Sequence, residues 1–400
     1  MSESNAGPND GPNAELYAGF EQGPIRPPSE ARSFLLRVTR NCPWNRCTFC
    51  PVYKQEKFSI RPVAHIKQDI DAVHEHVRTL QRLLKPNEIQ NKKIKNQVAI
   101  HDAVRNLPPA ELPAFQAALH WLTTGGLKSV FLQDANSLAI KPHHLLEVLR
   151  YLQEKFPQIE RITSYARSQS IVRLKRDDLV ALMEAGLTRL HVGMESGSDV
   201  ILARVQKGAT QELHIRAGCL VKDAGIELSE YYMPGLGGRE LARENAIQSA
   251  TVLNTIDPDY IRLRSLAIPA GIPLYQEFRD GQFVKCNEVE VQEEILLFLE
   301  NLDGIHSLVR SDHILNLLPE VQGRLPDDRE KMTSVLRGFL TLQPKDQRLF
   351  QVGRRMGLFG RLRDLDDKNR RTVAEHNCHQ LGINADNCDQ ILDDLMRRFV

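Results

Sequence analysis

The chain has 400 residues, with 52 Lys and Arg against 51 Asp and Glu and a formal net charge of +1. That balance gives no electrostatic case for a nucleic-acid or membrane partner, and no apolar run reaches the roughly 18 residues of a transmembrane span. Seven cysteines in a chain long enough to bury a large core argue against a disulfide-built scaffold, so the expectation is a cytoplasmic protein with reduced thiols.

Residues 1–32 are rich in Gly, Pro, Asn and Glu and lack the basic start and apolar stretch of a signal peptide; they are expected to form a poorly ordered arm. A first strand, FLLRV (34–38), leads into NCPWNRCTFCPVYK (41–54), where Cys42, Cys47 and Cys50 fall within nine positions. The stretch 62–124 reads as mostly helical. Short strands follow at SVFL (129–132), IERITS (159–164), LTRLHVG (187–193), IELSEYY (226–232) and YIRLRSL (260–266), with helical stretches such as HHLLEVLRYLQEKF (143–156) and RDDLVALMEA (176–185) between them. Gly126, Gly186 and Gly225 stand where a helix needs a left-handed residue to end before a strand begins. Helices alternating with strands imply a parallel sheet. Six such units over 33–279 favour an α/β partial (β/α)6 barrel, although periodicity alone also allows a flat doubly wound sheet. Beyond residue 280 the strand signal fades. Amphipathic helices at 289–305, 326–342 and 387–400 give a C-terminal helical region, 280–400.

In parallel barrels the chemistry gathers at the C-terminal ends of the strands. The ends here carry the cysteine loop, then Gln133-Asp134-Ala135-Asn136, Ser164-Tyr165-Ala166-Arg167, Gly193-Met194-Glu195-Ser196, Met233-Pro234-Gly235-Leu236-Gly237-Gly238 and Ile268-Pro269-Ala270-Gly271. Polar or glycine-rich groups at all six ends would converge on one mouth. His191 shares strand parity with Glu195, but a hydrogen-bonded core histidine is the commoner outcome for such a residue. Asp134 and Asn136 also suit helix caps, and Glu195 a helix start. A closed zinc site wants four ligands, usually two cysteine pairs, and only one triplet is local. A [4Fe–4S] cluster usually takes four thiolates; three leave one iron open to an exogenous ligand.

Three clustered cysteines after a first barrel strand, with Phe49 just before the last, resemble the radical SAM superfamily. The resemblance covers roughly residues 33–275, and GMESGSDVILARVQKG (193–208) is similar to the fourth-strand segment of many members. It implies a [4Fe–4S] cluster on Cys42, Cys47 and Cys50. It also implies S-adenosylmethionine on the open iron, cleaved reductively to a 5′-deoxyadenosyl radical that abstracts hydrogen from a substrate. By the same resemblance Phe49 lies beside the adenine, and Glu195, Arg167 and Ser164 contact the methionine or ribose part. Gly235 and Gly237 give the fifth-strand loop a close approach, and Leu266 and Ile268 lie against adenine. The sequence departs from the family in having four residues between Cys42 and Cys47, and in lacking glycine-glycine-glutamate after the second strand; Asp134 is the substitute for the methionyl ammonium.

No cobalamin domain or recognisable RNA-binding module is visible in the sequence, which tilts the expected substrate toward a small molecule or a peptide, and an external electron donor such as a flavodoxin or ferredoxin is expected. Two other readings stand beside the resemblance. A non-enzymatic iron–sulfur electron carrier would need a fourth ligand, with Cys219 or Cys286 available. A zinc-dependent barrel hydrolase would use the triplet as ligands. Cys286, Cys378 and Cys388 raise an auxiliary cluster, and Asp312-His313 a segment reaching over the mouth.

Overall fold

The computed structural model describes residues 16–85 and 97–396. Its contacts divide the chain into two units. The first takes the chain up to Pro43, Glu56–Ser170 and Leu174–Leu190; the second takes Trp44–Gln55, Ile171–Arg173 and everything from His191 onward.

The first unit holds strands β1 (Phe34–Arg37), β4 (Ser129–Gln133) and β5 (Arg161–Ala166), together with Leu187–Leu190 of β6 (Leu187–Glu195). β1 pairs parallel with β4, Phe34 opposite Val130, and β4 pairs parallel with β5, Val130 opposite Ile162. A small antiparallel pair, β2 (Thr39–Arg40) and β3 (Ser59–Ile60), brackets the cysteine segment in sequence. The helix Val63–Leu83 buries Ile66, Ile70, Val73, Val77 and Leu80, which is the spacing of one helical face. Gly126 does end its helix in the left-handed region, at φ +60°.

Of the arm expected over 1–32, the part from residue 16 on lies packed; residues 1–15 lie outside the described residues. Phe20 stacks on Phe34 at 6.1 Å and Phe34 on Trp121 at 5.1 Å. Glu30, fully buried, accepts hydrogen bonds from Ser33 (2.6 Å) and Arg161 (3.1 Å). Gln133 donates to the carbonyls of Gly23 and Ile25. A segment rich in Gly and Pro is thus ordered by a few anchors spaced along it.

The second unit continues with His191–Glu195 of β6, then β7 (Glu227–Tyr232), β8 (Tyr260–Leu263), β9 (Leu308–Arg310) and β10 (Gly323–Arg324). β7–β8 and β8–β9 are parallel pairs; β9–β10 is antiparallel. Strand order in the main sheet follows chain order from β1 through β4, β5, β6, β7, β8 and β9 to β10. Doubly wound sheets reverse their order at a switch point, and this one does not. The winding is of the barrel type.

The region after residue 280 is more than helical, since it supplies β9 and β10. These have three and two residues, too short to leave a period in the sequence. The expected helices appear as Glu288–Asn301, Arg329–Leu340 and Cys388–Met396, joined by Pro344–Arg355 and Lys368–Gln380. A capping box starts the first: Asn287 Oδ1 accepts from the Glu290 N–H, and Glu290 Oε2 from the Asn287 N–H, each at 2.9 Å. This helix packs on β7 through Phe298, stacked 4.1 Å from Tyr232.

Candidate functional site

In the second unit the cysteine loop sits in an apolar nest. Cys47 and Phe49 are buried with Ile201, Val205, Met233, Leu236, Leu266, Ile272, Leu274 and Phe283; Cys50 and Ile268 pack against the same cluster. Backbone hydrogen bonds fix the loop from both sides. The Thr48 N–H donates to the Val205 carbonyl (3.0 Å), and the Thr48 carbonyl accepts from the Leu274 N–H (3.1 Å). Lys54 Nζ donates to the Cys47 carbonyl (2.8 Å) and Trp44 Nε1 to the Gln206 carbonyl (2.7 Å). Trp44 lies so close over Gly208 that a Cβ there would come within 2.3 Å of its ring, and Gly208 has φ +67°. The turn Val205–Gly208 is the seat of the loop.

Lys207, on that turn, lies 5.8 Å from the Phe49 ring centre and donates to Glu195 Oε1 at 3.2 Å. Glu195 ends β6 in the left-handed region, φ +66°, which an ordinary side chain occupies at some cost. Its carbonyl accepts from the Met233 N–H (2.9 Å). Gly193 leaves room for the pair, since a Cβ would stand 2.4 Å from Glu195 Oε1. Glu230 of β7 is buried beside them, with no side chain hydrogen-bonded to its carboxyl among the described residues. Burial, then the Glu195 charge, pushes its carboxyl well above the usual range, against Lys207 and the Met194 N–H. Lys207 and Glu195 pair as opposite charges beside it. Sequence reading did not single out Lys207 or Glu230; the latter is the second of two acids in the strand ELSEYY, and the strand's burial pattern, not its sequence, sets it apart from the half-buried Glu227.

The loop after β7 turns through Gly235 (φ +84°) and Gly238 (φ +65°), conformations that favour glycine. Gly237 has another reason: a Cβ there would meet Ile201 and Leu241 at 2.9 Å. The Leu266 N–H donates to the Pro234 carbonyl (3.1 Å). Beneath the loop Glu294 receives hydrogen bonds from the Tyr232 hydroxyl (2.6 Å), the Asn245 amide (2.7 Å) and the Gly235 N–H (2.9 Å). Burial pushes its carboxyl up to about 7 in spite of those donors.

On the same unit His191 is buried, its ring 6.3 Å from Tyr231. Arg262 donates to Ser229 (3.1 Å) and Asp312 (2.7 Å). His313 is pushed down to about 4 by burial and by Arg264.

The first unit carries the other expected residues. Cys42 is half-buried. Asp134 is fully buried, and its Oδ2 already accepts from Arg37 Nη2 (2.7 Å), Arg37 Nε (3.0 Å) and the Asn41 N–H (3.1 Å). Asn136 does not cap the turn that follows; its amide oxygen accepts from the Arg167 N–H (3.1 Å) and its nitrogen donates to Ser170 (2.7 Å). Ser164 is buried and donates to the Tyr165 carbonyl (3.0 Å).

All seven cysteines are free thiols, and among the described residues no group of three or more His, Cys, Asp or Glu side chains is gathered at metal-holding spacing. The donor set nonetheless suits an iron–sulfur cluster chemically, being three soft thiols on one short segment. Burial pushes Cys286 and Cys388 each up to about 12, which disfavours the thiolate a metal needs. Cys378 and Cys388 pack with Val352, Ile383 and Leu392.

A barrel-type parallel α/β scaffold with a three-cysteine loop after its first strand resembles the radical SAM superfamily in both respects. No family model matches the chain. It is 28% identical over 115 residues to the tRNA uridine(34) acetyltransferase of Methanocaldococcus infernus, covering 28% of this chain and 22% of the relative. The match therefore spans about a fifth of that curated relative's length. Among solved structures, the chain is similar to the archaeal Methanocaldococcus infernus Elp3 with an N-terminal deletion, at 18% identity and a TM-score of 0.40, over 50% of this chain and 53% of that one. It is also similar to coproporphyrinogen III oxidase from Escherichia coli, described as a radical SAM enzyme, at 14% identity and a TM-score of 0.41, over 64% of this chain and 50% of that one.

Proposed function

We propose that the chain is a radical SAM enzyme, with Cys42, Cys47 and Cys50 holding a [4Fe–4S] cluster and S-adenosylmethionine as co-substrate. One observation carries this reading. Cys47, Phe49 and Cys50 share a single apolar cluster with Met233, Leu236, Leu266 and Ile268, so segments far apart in the chain meet around the thiols. The chemistry that such a cluster and S-adenosylmethionine supply together is reductive cleavage to methionine and a 5′-deoxyadenosyl radical.

The chain's own side chains do the rest. Phe49, Leu266 and Ile268 offer apolar surface to the adenine and keep water from the thiols. Lys207 neutralises Glu195 and holds it at the strand end, where Glu195, with Ser164 and Arg167, is a candidate for the methionine and ribose parts. Asp134, whose carboxylate is held by Arg37, is the candidate for the methionyl ammonium. Gly235 and Gly237 shape the loop after β7. The substrate would be a small molecule or peptide, and a flavodoxin or ferredoxin the electron donor.

The test is anaerobic reconstitution with iron and sulfide, followed by EPR of the reduced protein with and without S-adenosylmethionine. A Cys42→Ala/Cys47→Ala/Cys50→Ala variant serves as control. A brown protein whose signal moves on adding the cofactor, beside a colourless variant, is the expected result. A cluster indifferent to the cofactor would favour electron transfer, and a colourless protein holding zinc would favour the hydrolase. The relative's name brings in a second reading, an RNA substrate. It predicts that added tRNA stimulates cleavage of S-adenosylmethionine, and equal rates with and without tRNA would sink it.

A further inference from the structure

The carboxylate beneath the glycine loop belongs to the region beyond the strands that were legible in sequence. Glu294 lies on the helix Glu288–Asn301 and is 3% exposed. Its three donors come from three places: Tyr232 at the end of β7, Gly235 in the loop, and Asn245 on the helix Gly238–Ile256. Asn245 also donates to the Met233 carbonyl (3.1 Å). The network thus grips both ends of Met233-Pro234-Gly235. The same short stretch touches the rest of the site: Met233 packs in the cluster of Cys47 and Phe49, and the Pro234 carbonyl holds the Leu266 N–H.

Packing alone does not call for an acid here. An ionisable group buried without a cation costs free energy, and an apolar side chain of similar size would fill the space without it. An ionised carboxylate has the acceptor capacity to take all three donors at once. A glutamine in its place would keep one carbonyl oxygen for Tyr232 and Asn245 but would turn an N–H against the N–H of Gly235.

We propose that Glu294 is a positioning residue: it holds the Met233–Gly238 loop in the shape that receives S-adenosylmethionine, linking the C-terminal region to the cofactor. This rests on the radical SAM reading. It acts through Gly235 and Met233.

The experiment compares the wild type, Glu294→Gln and Phe298→Leu, each reconstituted without oxygen. Phe298→Leu disturbs the packing of the same helix on Tyr232 but leaves the hydrogen bonds in place. S-adenosylmethionine binding is measured by equilibrium dialysis, the cluster by iron content and EPR without cofactor, and folding by thermal melting. Glu294→Gln should bind S-adenosylmethionine at least tenfold more weakly with unchanged iron content and cofactor-free spectrum. Phe298→Leu should melt lower yet bind within about twofold of the wild type. Glu294→Gln binding like the wild type would overturn the proposal. So would a Phe298→Leu variant that loses as much affinity, because the role would then be packing. If neither Glu294→Gln nor Asn245→Leu folds, the network belongs to folding and the proposal fails. A wild type that carries the cluster but binds no S-adenosylmethionine would overturn the radical SAM reading itself, and is told apart by the wild type alone.

Discussion

Glu230 and Glu294 are carboxylates buried in one unit of the chain with no cation bonded to their oxygens among the described residues. Both have carboxyl pKa values raised chiefly by burial, Glu294 up to about 7 and Glu230 well above its ordinary value. The consequence for stability has a definite sign. Unfolded, each releases its proton near 4.5; folded, each holds it longer, so the native state binds more protons in between. The contribution of each to stability is therefore full below about pH 4.5 and falls as pH rises, for Glu294 until about pH 7 and for Glu230 over a window that begins at the same place. For Glu294 the loss is on the order of 3 kcal/mol. Because His313, pushed down to about 4, adds stability with rising pH over an overlapping window, the carboxyl share is read as a difference: in urea unfolding between pH 4 and 8, the stability of the wild type relative to Glu230→Gln should fall as pH rises. Parallel curves for the two proteins would refute the assignment of a raised pKa to Glu230.

Among the elements, the turn Val205–Gly208 has a role out of proportion to its length. It gives a carbonyl to Thr48, another to Trp44, a cation to Glu195 and Phe49, and a bare Cα beneath the indole. Gly208→Val would place a β-branched residue at φ +67° and drive a methyl into Trp44. We expect a cost of about 2 kcal/mol or more in urea unfolding and a loss of iron uptake on reconstitution. Normal iron content in a folded Gly208→Val protein would show that the turn does not seat the loop. The glycines that end helices before β4, β6 and β7 were legible because their demand is local: Gly126, Gly186 and Gly225 all have positive φ. The residues VQKG were quoted in sequence as part of a family-like segment, but nothing in them announces a partner some 160 positions away; Trp44 and Gln206 are separated by 162. Asp134 shows the converse. Its carboxylate was visible at a strand end, while Arg37, which holds it, sits 97 residues earlier on another strand.

At the scale of the whole molecule, the region after residue 280 is built into the same contact unit as β7 and β8. β9 pairs along β8, Phe298 covers Tyr232, and Glu294 binds the loop after β7. A chain cut after residue 279 would leave β8 with an open edge, remove the Phe298 ring that covers Tyr232 and take Glu294 from Asn245. We expect such a truncation to lose near-UV circular dichroism and to aggregate. A soluble truncation with a cooperative melt would show that the strand-bearing part folds alone.

The amino-acid sequence determined the alternation of helix and strand, the glycine stops, the position of the cysteine segment and the polar strand ends, because each depends on neighbours within a few residues. Tertiary structure alone decided which buried charges are balanced. Lys207 meets Glu195, Asp134 meets Arg37, and Glu294 meets Tyr232 and Gly235 across separations of 12, 97, 62 and 59 residues. Burying a carboxylate is costly where few donors reach it, and which donors reach it is settled by how strands and helices pack, a property no local pattern contains.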